Sequence, residues 1–144
     1  LGDDHPVYDA LGRQLEQLRA PYAWYMRVPD LRAFLRHIAP ALEARLAGSV
    51  MAGHSGTLRL TTYRQRLTLV FANGRLQEIG TYDAPRLEDG DARFPDLTFL
   101  QLLFGYRSLA ELDHAFADCY MSDEAHVLLT CLFPKRPSMV VPLG

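Results

Sequence analysis

The spacing of apolar residues along the chain changes period several times, and each change predicts an element. Tyr8, Leu11, Leu15 and Leu18 recur at helical spacing behind Asp3 and Asp4, so a first helix is expected, ended by Pro21. Tyr22 to Val28 ("YAWYMRV") then reads as a strand, with Trp24, Met26 and Val28 on one face and Tyr25 and Arg27 on the other. Asp30 can cap a second helix carrying Leu31, Phe34, Leu35, Ile38, Leu42 and Leu46. Pro40 interrupts that stripe, which predicts a kink or a restart, and Gly48 is a natural stop.

The period then falls to two. "TLRLTTY", "RLTLVFA" and "RLQEIGTY" predict three strands of an antiparallel meander, and Asn73-Gly74 is the hairpin signal between the last two. Asp83 to Arg93 is charged, contains Pro and Gly, and is expected to be a surface loop. In the next stretch, "FPDLTFLQLLFGYRSLAEL", the first half is apolar nearly all round. Ser108 with Glu111 then predicts a capping box and a helix buried through Leu109, Leu112 and Phe116. A last helix should start near Ser122 and bury Ala125, Leu128, Leu129 and Leu132 before Pro134. "MVVP" near the end could add an edge strand. The expected class is α+β, with one sheet covered by helices on one face.

The apolar run is too short to cross a membrane. Leu97 to Phe104 contains Thr98 and Gln101, whereas a spanning helix needs roughly 20 apolar residues. A segment that greasy packs against core or against a ligand cavity. Phe94 to Phe104 is therefore expected to wall an apolar cavity against the Trp24, Met26 and Val28 face, with Phe99, Leu100, Leu103 and Phe104 in the lining.

Composition sharpens this reading only a little. A chain of 144 residues fits one domain with a real core, and 49% apolar with 22% charged residues is ordinary for a globular protein. A formal net charge of -2 gives no reason to expect nucleic acid as a partner. Cys119 and Cys131 make neither a disulfide framework nor a metal spacing, so a reducing, cytoplasmic setting is expected. The start, Leu1-Gly2-Asp3-Asp4, lacks an initiator Met, and a piece of a longer protein is expected.

Motif chemistry is sparse. "GHSG", Gly53 to Gly56, misses the GxSxG nucleophile elbow by one residue and reads as a turn before a strand. "RLAGSV", Arg45 to Val50, is similar to a coenzyme A loop but ends a helix, where such a loop needs the free N–H groups of a helix start. The five histidines are scattered at no ligand spacing, and no metal site is expected.

"YAWYMRVPDLRAFL" resembles the opening of the C-terminal domain of bacterial GNAT acetyltransferases of the enhanced-intracellular-survival type. Trp24, Met26, Arg27, Val28 and Asp30 carry the likeness. "LTFLQLLFGYRSLAEL" and "LFPKRPS" resemble the end of the same domain. The resemblance implies a sterol-carrier-protein-like fold over residues 20–144: a five-stranded, mainly antiparallel sheet covered by helices, around an apolar cavity or groove. Residues 1–19 would then be a helix or linker from a missing upstream domain. It also implies an accessory, non-catalytic role, in which upstream GNAT domains of the same chain bind acetyl-CoA, this domain shapes the acceptor site, and the full-length protein forms homo-oligomers. By the same resemblance the terminal carboxylate, here that of Gly144 if it is the native end, would act as general base. The alternative is a free-standing carrier of lipid or fatty acyl groups.

Overall fold

The computed structural model describes residues 6–11, 26–83, 90–95 and 97–137. Helix α1 spans Pro6–Leu11, the first part of the expected N-terminal helix. The rest of that helix, residues 22–25 of the expected first strand, and the "MVVP" segment lie outside the described residues.

Residues 26–28 are not part of the sheet, contrary to expectation. Alternation and aromatic content show that a segment tolerates extended backbone, but a strand also needs an open edge to pair with. The edge of β1 opposite β2 is taken by β4.

Asp30 starts α2 (Leu31–His37) by accepting the Ala33 N–H at 2.8 Å. The helix stops at Ile38 and α3 restarts over Ala39–Ala47. Pro40 sits in the first turn of α3, where its missing N–H deprives no helical bond. Leu31, Leu35, Leu42 and Leu46 face inward from the two helices.

Three longer strands follow: β1 (Gly56–Thr61), β2 (Arg66–Ala72) and β3 (Arg75–Thr81), paired antiparallel in sequence order. Asn73 and Gly74 have φ of 51° and 76°, the two positive values a tight two-residue hairpin requires. Gly74 is fixed further by packing, since a Cβ there would meet the Gly53 nitrogen at 3.2 Å.

Two short strands complete the sheet. β4 (Ala92–Arg93) lies inside the expected surface loop and runs parallel to β1; β5 (Tyr120–Met121) pairs antiparallel with β4. The result, among the described residues, is a mixed five-stranded sheet in the order β3-β2-β1-β4-β5. Strand count and class therefore agree with the sequence reading, whereas two of the five strands come from segments that it left as loop or connection.

The quoted apolar stretch folds as a short helix, α4 (Thr98–Leu103), behind Leu97 in a left-handed conformation with φ of 63°. α5 (Leu109–Ala115) carries the expected capping box, and α6 (Asp123–Leu132) starts at Ser122 as expected. Leu58, Leu60, Leu67, Leu69, Phe71 and Ile79 line one sheet face and join a core with the helical leucines, Phe94, Phe99 and Phe133. The other face shows Thr57, Arg59 and Glu78 to solvent. Helices therefore cover one face, as the alternation in β2 predicts.

Candidate functional site

An open concavity among the described residues lies at the end of the sheet where β1 turns into β2 and β3 leaves. Its volume is about 540 Å³. The turn Thr62–Gln65 supplies one wall, closed by the Thr62 N–H donating to the Gln65 carbonyl at 2.9 Å. Tyr63 stands at the tip with φ of 62°, an uncommon conformation for a bulky side chain and one worth about 1–3 kcal/mol of strain. Residues 81–83, leaving β3, supply the opposite wall, and Arg32 reaches in from α2. Arg32 is held in place because its Nε donates to the Ile79 carbonyl at 2.8 Å.

Among the described residues Arg32, Arg64 and Arg66 line this cleft against one acid, Asp83. That local excess of two positive charges contrasts with the chain's formal net charge of -2. A smaller slot of about 160 Å³ adjoins it and shares Arg64 and Gln65. Val28, Leu31, Leu97, Phe99 and Leu100 give the slot its apolar wall, and Arg27 adds a further cation. Leu97 borders the slot from its left-handed position and is 42% exposed.

The residues expected to line an apolar cavity take different positions. Val28, Phe99 and Leu100 meet at the small slot. Most of the Phe99 ring is core, with centroids 5.4 Å from Phe94 and 5.6 Å from Phe133. Leu103 is buried, and Phe104 packs on Phe34 at 5.6 Å; neither lines the slot. Met26 is half-buried and lines neither space. Trp24 and Gly144 lie outside the described residues.

The arginines were missed by motif reading, although a signal exists. "YRQR", Tyr63 to Arg66, places two arginines in four residues at a hairpin turn. A turn crowded with like charge is a surface that recruits counter-charge.

The other candidates resolve into structural roles. "GHSG" is a turn that braces the β2–β3 hairpin: the Gly74 N–H donates to the His54 carbonyl and the Asn73 N–H to Ser55 Oγ, both at 2.8 Å. "RLAGSV" ends α3, and Arg45 donates to the Leu132 carbonyl at 2.8 Å, serving the C-terminal end of α6. Burial, with Asp113 and Asp118 nearby, pushes the Cys119 thiol up to about 11. Among the described residues no three of His, Cys, Asp and Glu come together as a metal-binding group. No described helix is long and apolar enough to cross a membrane.

No family model, curated protein or solved structure matches this chain.

Proposed function

We propose that this chain is the sterol-carrier-like accessory domain of a GNAT-type N-acetyltransferase, bordering the acceptor site that upstream domains complete. The support is the resemblance carried by "YAWYMRVPDLRAFL" and "LTFLQLLFGYRSLAEL", together with an α+β fold whose helices cover one face of a five-stranded sheet. In this reading acetyl-CoA belongs to the upstream domains, and the whole protein works in the cytoplasm as a homo-oligomer.

The observation that favours an accessory wall over a free-standing acyl carrier is the size of the apolar slot among the described residues. The slot beside Val28, Leu97, Phe99 and Leu100 measures about 160 Å³, whereas small-molecule sites occupy roughly 300–1,000 Å³. A long acyl chain needs more room than this slot provides.

The test uses the full-length parent. Deleting residues 20–144 should leave acetyl-CoA binding by calorimetry intact in the remaining protein and abolish acetyl transfer to amine acceptors. The isolated chain should transfer no acetyl group. Full turnover in the deleted parent, or a parent reading frame without acetyltransferase domains, overturns the proposal. An acyl chain retained in native mass spectrometry of the isolated domain would favour the carrier instead.

A further inference from the structure

We infer that the cleft at the β1–β2 hairpin tip is a binding site for a small amphipathic anion. An oxyanion head, carboxylate or phosphoryl, would sit among the arginines, and a short apolar tail would enter the adjoining slot. The inference stands apart from the acetyltransferase reading, because it concerns binding by this chain alone.

Three observations carry it. First, the positive charge is local and arranged in a concave space. Among the described residues Arg32, Arg66 and the single acid Asp83 line the larger cleft and Arg27 the smaller one, in a molecule that is acidic as a whole. A concave wall with an excess of one sign concentrates the field and raises the local concentration of counter-ions. Second, Arg32 is pre-positioned. Its Nε is engaged by the Ile79 carbonyl, which restricts the guanidinium at the cleft wall before any ligand arrives. A planar fork held in this way matches the two oxygens of a carboxylate or phosphoryl group. Third, two bulky residues hold strained left-handed backbone at this place. Tyr63 lines the cleft and Leu97 the slot, with φ of 62° and 63°. Such strain collects where the surrounding structure holds a side chain in place for binding.

The two spaces also set the ligand's shape. The polar cleft of about 540 Å³ accepts a hydrated head, and the slot of about 160 Å³ limits the tail to a short one. Gln65 and Arg64 lie at the junction and line both.

Titration calorimetry of the 144-residue chain with hexanoate and with hexyl phosphate tests this. At least one should bind saturably, more tightly than inorganic phosphate and more tightly than hexanol, with affinity falling as salt rises. The tighter of the two identifies the head as carboxylate or phosphoryl. Arg66→Gln should weaken that probe about ten- to a hundredfold, the loss expected for one charge-assisted hydrogen bond. Arg27→Gln, at an exposed position, should weaken it by a smaller factor. Circular dichroism shows whether each variant is folded. If neither probe binds the folded wild-type chain, or if the folded Arg66→Gln protein binds as well as wild type, the inference is wrong.

Discussion

Phe99 shows how one side chain decides between a cavity and a core. It is 2% exposed, and the rings of Phe94 and Phe133 lie on two sides of it. A ring packed this way loses both transfer free energy and van der Waals contacts when it is cut back. Phe99→Ala should therefore destabilise the protein by about 3–5 kcal/mol in chemical denaturation. A ring that mainly faced an open ligand chamber would cost far less, because a chamber already lacks partner atoms on one side. A loss under about 1.5 kcal/mol would restore the large-cavity expectation. Gly105 is an opposite case, where the structure needs the absence of a side chain. Its φ is 71°, and a Cβ would meet the Arg136 nitrogen at 3.1 Å. That contact ties the turn after α4 to the segment after α6 through the Arg136 N–H and the Gly105 carbonyl at 3.0 Å.

Among the elements, α5 has the most complete start. Ser108 Oγ accepts the Glu111 N–H at 3.3 Å, and the Glu111 carboxylate accepts the Ser108 N–H at 2.8 Å. Lys135 closes on the same carboxylate at 2.6 Å, from beyond α6. Its hydrogen bond, with that of the Ser108 backbone, lowers the Glu111 pKa from 4.5 to about 2. A carboxylate with a depressed folded pKa stabilises the fold above its unfolded value. That stabilisation disappears as pH falls through the folded value. The window here runs from about pH 4.5 down to about pH 2. Thermal melts of Glu111→Gln should show less loss of stability across that window than wild type. Added salt should shrink the difference, since the pair is exposed. Identical pH slopes for the two proteins would contradict this account. Ser108→Ala should cost about 1 kcal/mol at neutral pH, the usual worth of an N-cap.

At the scale of the whole molecule, the problem is the edge of the sheet. β3 is an outer strand, and its outward groups would template pairing with another chain if left open. Side chains from the helices occupy two of them. Glu43 of α3 accepts the Leu76 N–H at 3.0 Å, and Arg32 and Arg36 of α2 donate to the Ile79 carbonyl at 2.8 and 3.4 Å. Glu43→Ala should cost about 1 kcal/mol and should raise the larger species seen in sedimentation at high concentration. An unchanged sedimentation profile would show that the shield is dispensable. The sequence by itself determined every element that is long enough to carry a period. Leu31 to Leu46 with its break at Pro40, the meander with its Asn73-Gly74 turn, the Ser108 capping box and the α6 stripe all follow from local chemistry. β4 and β5 have two residues each, too few to show alternation, and exist because β1 leaves an edge that only a chain returning from far away can fill. The same holds for the cleft. Arg27, Arg32 and Arg66 belong to three separate segments, and the packing of α2 against β3 beside the hairpin tip brings Arg32 and Arg66 to one space and Arg27 to the slot that adjoins it. Local order needs only neighbours in sequence, whereas a shared edge or a shared pocket needs neighbours in space.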